Sequence, residues 1–141
     1  MNKPASVFLD ANVLIYFLDE TARQHTVTIS NLQNLVDKQA QLYTSHHVIE
    51  EVLFIVSKLA SSKAVVTVAI KQIAKLPGLL LVEPATDLQF ALRYVELWQK
   101  TSLGINDALL LQLIIDGSIG QIFSFDAALL RQAKKFGIQA A

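Results

Sequence analysis

The sequence predicts an α/β fold, with a small parallel sheet sandwiched between helical layers. Three observations lead there. Strand-like and helix-like segments alternate from one end of the chain to the other, which favours parallel pairing through crossover connections. The opening strand, Ser6-Val7-Phe8-Leu9, is apolar at consecutive positions, the pattern of a strand covered on both faces. Finally, 141 residues suit one domain, and no repeat, linker or low-complexity stretch divides them.

The first strand stops at Asp10, and 11–18 reads as a short apolar helix. An amphipathic helix over 22–37 follows, with Val27, Ile29, Leu32, Leu35 and Val36 in near-helical register. Gln41-Leu42-Tyr43-Thr44 forms the second strand. Ser45 caps a helix over 46–60, and Ser61 or Ser62 caps another that reaches Leu76 before Pro77-Gly78 ends it. The third strand covers 79–82. Pro84 opens a helix over 84–100, and Thr101 or Ser102 with Gly104 breaks it before a further helix over 105–115. Gly117 and Gly120 flank the turn into a fourth strand at 121–125. A helix over 127–136, terminated by Gly137, leads to a short edge strand at 138–140. Helices outnumber strands, so several crossovers carry helix pairs.

Apolar residues make up 52% of the chain, above the roughly 45–50% of ordinary soluble proteins, so part of the surplus is expected to cover a partner or a second copy. The 12 Lys and Arg balance 12 Asp and Glu, so no net field draws in a polyanion and any nucleic-acid role must rest on local features. The absence of cysteine excludes disulfides, thiolate zinc sites and thiol nucleophiles, and it suits a reducing compartment. Three clustered histidines are too few for an imidazole metal site. Met1-Asn2-Lys3-Pro4 runs into the first strand without the apolar core of an export signal, and no apolar run approaches the roughly 18–20 residues that span a bilayer. A soluble cytoplasmic protein is the expectation.

The polar residues that stand out are acidic. Asp10 follows the first strand directly, and Asp126 closes Phe123-Ser124-Phe125-Asp126, so both belong at carboxyl ends of strands, where open parallel sheets bind ligands. Each also precedes a helix that it can cap. Asp107 opens a helix with almost no polar face. On a 100° wheel it lies between Leu111 and Ile114, so it is expected to point inward. In the helix over 46–60, Glu51 borders the apolar stripe of Val48, Val52, Ile55, Val56 and Leu59, whereas Glu50 lies almost opposite and is expected to be solvated. If the four acids converge, each close pair repels by about 1–4 kcal/mol at ~4 Å. Several such pairs rival a domain's whole stability of roughly 5–15 kcal/mol. The cluster then demands a hard divalent cation or takes up protons, and oxygen-only ligands select magnesium or manganese over zinc.

These residues, in this order, resemble the PIN-domain family of nucleases over nearly the whole chain. Phe8-Leu9-Asp10-Ala11-Asn12-Val13-Leu14-Ile15 is similar to the family's opening strand and acidic turn. Thr44-Ser45-His46-His47-Val48-Ile49-Glu50-Glu51-Val52-Leu53 is similar to its second motif, which places the acid at Glu51. Ile105-Asn106-Asp107-Ala108-Leu109 resembles the third motif and Ile122-Phe123-Ser124-Phe125-Asp126 the fourth. The resemblance implies a three-layer α/β/α fold with strand order 3-2-1-4-5 and metal-dependent hydrolysis of RNA phosphodiesters, the ion activating water. Asp10, Glu51, Asp107 and Asp126 would be the catalytic metal ligands, with Asn12 and Ser124 orienting them through hydrogen bonds. Small stand-alone members are commonly toxins of the VapC type, so an RNA substrate, an antitoxin partner and a homodimer are expected.

A solitary RNA-processing nuclease and a non-catalytic binding module of the same fold are the alternatives. A receiver-like phosphoacceptor fits poorly, because Glu83-Pro84 follows the third strand where an accepting acid would be needed. His46 and His47 read as exposed surface. Lys58, Lys63, Lys71, Lys75 and Arg93 are candidates for phosphate contact to which no role is assigned.

Overall fold

Val7, Phe8 and Leu9 are wholly buried, as a strand with helices on both faces must be. They belong to the central strand of a computed structural model that describes residues 3–141; Met1 and Asn2, on which the expectation of a leaderless start partly falls, lie outside the described residues. The strands are β1 (Ser6–Leu9), β2 (Gln41–Thr44), β3 (Leu80–Leu81), β4 (Gln121–Phe123) and β5 (Gln139–Ala140). The helices are α1 (Ala11–Leu18), α2 (His25–Asp37), α3 (His46–Leu59), α4 (Lys63–Ala74), α5 (Leu88–Lys100), α6 (Ile105–Asp116) and α7 (Ala127–Lys135). All strand pairs are parallel and the order is β3-β2-β1-β4-β5, as the resemblance implied.

This order creates the position on which the site depends. From β1 the chain builds outward through β2 and β3, then returns to β1's other edge for β4 and β5. The direction of winding therefore reverses between β1 and β4, and connections leave their carboxyl ends on opposite sides, opening a crevice there. The rim is tied together locally. The Asp10 N–H donates to the Phe123 carbonyl at 3.1 Å, and the buried Thr44 hydroxyl donates to the Leu9 carbonyl at 3.0 Å. β1, β2 and β4 thus end in mutual register just below the crevice.

Several element boundaries differ from the expectations. α5 begins at Leu88 rather than near Pro84, because Asp87 accepts from the Gln89 N–H at 3.1 Å and so starts the helix itself. α2 begins at His25 rather than at 22. Asp19 accepts from both the Thr21 N–H (3.0 Å) and the Thr21 hydroxyl (2.6 Å), a side-chain turn that competes with helix over that stretch. β4 ends at Phe123 because Ser124, Phe125 and Asp126 turn away to build the rim. α6 is buried over most of its circumference and packs against α5 and α7, which explains its lack of a polar face. Among the described residues no helix is long and apolar enough to cross a membrane.

Three helices end in the same six-residue motif. After α7, the Ile138 N–H reaches the Ala133 carbonyl at 3.1 Å and the Gly137 N–H reaches Lys134 at 3.1 Å, with Gly137 at φ 79°. α2 and α6 repeat the pattern with Gln39 (φ 58°) and Ser118 (φ 52°) in the left-handed position. A side chain there is strained by roughly 1–2 kcal/mol, offset in part by the greater freedom that glycine has when unfolded. Gln39→Gly and Ser118→Gly should therefore each stabilise the protein by about 0.5–1 kcal/mol in urea unfolding. Gly137→Ala, whose new methyl meets no atom within 4 Å, should destabilise by about 1 kcal/mol through its backbone alone.

Candidate active site

Above the carboxyl ends of β1 and β4 lies a cavity of about 520 Å³ lined by Asp10, Glu51, Asp107 and Asp126 together with Asn12, His47, Asn106 and backbone of the Gly104 turn. Each acid arrives from a different segment. Asp10 ends β1, Glu51 sits in the second turn of α3, Asp107 in the first turn of α6, and Asp126 caps α7. All four acids singled out in the sequence therefore reach one cavity, and Glu50 is solvent-exposed on α3.

Capping and site-building turn out to be compatible. The Asp10 Oδ1 accepts the Ala11 N–H at 2.7 Å, and the Asp126 Oδ1 accepts the Ala128 and Leu129 N–H groups at 3.0 and 3.1 Å. Each aspartate uses one oxygen to start its helix, and the Asp126 Oδ2 has no such duty. The Asp10 Oδ2 is held differently, by the Ser124 hydroxyl at 2.6 Å. Ser124 is buried and saturated: its Oγ also accepts from the Asn12 side-chain amide (3.4 Å) and from the Asp126 N–H (3.0 Å). Asn12 closes the loop by accepting the Phe125 N–H on its Oδ1 at 3.2 Å. Both residues that the sequence placed beside the acids thus bind the turn after β1 to the turn after β4.

Electrostatics follow from this crowding. Among the described residues no lysine or arginine lines the cavity. The Asp107 carboxyl is pushed up to about 6, first by burial and then by the charges of Asp126, Asp10 and Glu51. Burial also raises Asp10, against the lowering effect of its bonds to Ser124 and Ala11, with Asp126 adding to the rise. Glu51 is raised by partial burial and then by Asp10, while His47 pulls it the other way. The four acids offer oxygen donors, which suits a hard divalent cation. Among the described residues no three acidic or histidine side chains stand close enough together to clasp one ion directly. That spacing fits a hydrated cation held by one or two carboxylates, its waters reaching the others.

His47 is a cavity-wall residue that the sequence reading left on the surface; its placement one helical turn before Glu51 was the available signal. His46 is exposed as expected and stands 3.2 Å from Glu83. Arg93, a phosphate-contact candidate, is instead paired with Asp116 at 2.8 Å. Lys58, Lys63, Lys71 and Lys75 lie outside the cavity wall.

A family model described as the PIN domain matches residues 7–135. No curated protein matches the chain. VapBC2 from Rickettsia felis, solved bound to a DNA fragment from its promoter, is 17% identical with a TM-score of 0.70 over 96% of this chain and 97% of that one. VapC20 from Mycobacterium tuberculosis, described as a sarcin-ricin loop cleaving toxin, is 16% identical with a TM-score of 0.63 over 87% and 92%. FitAcB from Neisseria gonorrhoeae is 15% identical with a TM-score of 0.61 over 95% of each chain. At these identities the likeness is one of fold.

The raised acids carry a stability consequence with a definite sign. A carboxyl whose pKa is higher folded than unfolded favours folding when protonated, and that contribution is lost as pH rises from near 3.8 through about 6 for Asp107. Without divalent cation, Asp107→Asn should therefore be more stable than the unsubstituted protein at pH 7, with the gap closing toward pH 4 in thermal melts. Adding magnesium chloride at pH 7 should narrow the gap. A gap that widens on acidification would show that Asp107 is not repelled by its neighbours.

Proposed function

The chain belongs to the PIN domain family, and we propose that it is a divalent-metal-dependent ribonuclease that hydrolyses RNA phosphodiester bonds, acting as the toxin of a toxin–antitoxin pair. The observation that carries this reading is the delivery of four carboxylates from four segments into one cavity that, among the described residues, no lysine or arginine lines. Asp10, Glu51, Asp107 and Asp126 hold magnesium or manganese, directly or through water. The bound ion supplies water activation and neutralises charge developing on the phosphate.

The chain's own residues account for the rest. Asp10 is the most constrained acid, its two oxygens fixed by Ala11 and Ser124, so it presents its remaining lone pairs in one direction. Ser124 and Asn12 hold the Asp126 turn against Asp10, which keeps the two strand-end carboxylates at constant spacing. Asp107, raised to about 6, is poised between protonated and ionised forms in the metal-free protein, and cation binding drives it to the ionised form. No protein nucleophile is needed.

The toxin reading rests on the PIN-domain match, with 1–141 read as one such domain, and on an apolar groove suited to a partner. That groove, about 440 Å³ between α1, α3 and α4, is lined by Leu18, Ile55, Leu59, Val65 and Val68. Leu59 is 82% exposed, apolar surface that a monomer in water has reason to cover. An apolar segment of an antitoxin would cover it, and a homodimer would account for the same surplus of apolar surface. The cysteine-free composition suits the cytoplasm.

Purified protein with magnesium or manganese should cut RNA, and chelation should stop it. Asp10→Asn should lose activity by more than the roughly 10- to 100-fold expected when only a supporting partner of a metal ligand is removed. Ser124→Ala, which removes such a partner, should fall within that 10- to 100-fold range and recover partly at higher magnesium. Equal cleavage by the unsubstituted protein and Asp10→Asn would trace the activity to a contaminant and end the nuclease reading. Expression of the chain alone should arrest growth, and expression of Asp10→Asn should not.

A further inference from the structure

The outer face of α3 carries a stripe whose far half, Phe54 and Lys58, the nuclease chemistry does not use. With about 100° between successive residues, His47, Glu51, Phe54 and Lys58 fall within about 60° of one another on the helix. The first two line the acidic cavity and the last two continue the same face beyond it. His47 is the one cavity-lining side chain, among the described residues, able to carry positive charge. Phe54 is 60% exposed, a position where so large an apolar ring gains little from folding. The Lys58 ammonium stands 4.2 Å from the centre of that ring. Beyond the cavity acid Glu51 this face offers an aromatic ring with a cation beside it, and His47 at its other end, which matches what binds single-stranded nucleic acid: faces for bases and charges for phosphates.

We propose that single-stranded RNA leaves the acidic cavity along the outer face of α3, with His47 and Lys58 contacting backbone phosphates a few nucleotides apart and a base stacking on Phe54. The inference rests on the ribonuclease reading for the identity of the strand. From His47 to Lys58 the helix advances about 16 Å, enough for a few nucleotides. Glu50, about 60° to one side of His47, and Glu51, about 40° to the other, repel phosphate and confine the strand to the ridge between them that carries Phe54 and Lys58. Lys58 is exposed and flexible, so it can swing from the ring to a phosphate and free the ring face for a base. The apolar groove borders the stripe without including Phe54 or Lys58, its α3 residues Ile55 and Leu59 standing about 60° and 100° round the helix from Lys58.

The test is direct binding of a fluorescent, non-cleavable 2′-O-methyl RNA oligonucleotide by the full chain in magnesium, over a series of salt concentrations. Phe54→Ala should weaken binding roughly fivefold or more, with Phe54→Trp restoring it, because any aromatic face can stack a base. Phe54→Ala should leave the salt dependence unchanged. Lys58→Ala should reduce the slope of log affinity against log salt by about 0.7, the signature of one lost single-strand phosphate contact. Lys58→Ala and Phe54→Ala, both outside the cavity, should leave the magnesium-induced rise in melting temperature intact. Unchanged affinity in Phe54→Ala and Lys58→Ala overturns the proposal. A shift in oligomeric state without a change in RNA affinity also overturns it and assigns the stripe to protein contact. If the unsubstituted protein binds no oligonucleotide the path falls, whereas binding that depends on Phe54 and Lys58 without cleavage leaves the path standing and removes the nuclease reading.

Discussion

Mutual repulsion among carboxylates is the constraint around which this molecule is arranged. Asp107 is pushed up to about 6 by burial and by three other acids, and among the described residues no lysine or arginine lines their cavity to offset the charge. Such a cluster is tolerated only because the rest of the fold is strong enough to impose it. β1, β2 and β4 are locked in parallel register beneath it, and Val7, Phe8, Leu9, Leu42 and Ile122 are wholly buried around them. A domain's stability is a small difference between large opposing quantities, so holding like charges together draws directly on that margin. The site and the core are therefore one energetic problem.

Hydrogen bonding decides how that strain is distributed. The Ser124 hydroxyl donates to Asp10 and accepts from Asn12 and from the Asp126 backbone, so one buried oxygen joins both strand-end acids. A hydroxyl with one proton and two lone pairs has no further capacity, which leaves its orientation no freedom. Helix caps do similar work on the other side of each aspartate, since the backbone N–H groups of Ala11, Ala128 and Leu129 each meet a carboxylate oxygen. At Asp10 the Ala11 N–H favours the ionised form and partly counters what burial does. Both strand-end acids are thereby aimed, at the cost of stability that a cation would return.

α3 shows how one helix divides its circumference among separate tasks. Val48 and Val52 are buried in the core, Glu51 and His47 face the cavity, Ile55 and Leu59 border the apolar groove, and Phe54 and Lys58 lie on the open face. The buried stripe fixes the rotation of the helix, and every other position is then determined by the 3.6-residue turn. The same geometry separates Glu50 from Glu51: one residue of offset is about 100°, and Glu51 lines the cavity whereas Glu50 does not.

Sequence by itself determined the alternation of strands and helices, the capping residues Asp10, Ser45 and Asp126, and the short list of acids, because each depends on local periodicity and on side chains meeting their own backbone. Boundaries were less legible where two local signals competed, as at Pro84 against Asp87 or in the Asp19 turn ahead of α2. The strand order was readable only through a family resemblance, since no local rule says on which side of β1 the chain returns. Tertiary structure alone decided the bonds of Ser124 to Asp10 and of Asn12 to Ser124 and Phe125, and the place of His47 on the cavity wall. Those contacts join residues more than a hundred positions apart or depend on how a helix is rotated against a sheet. They exist only once the core has closed, and no pattern along the chain encodes the distances on which they depend.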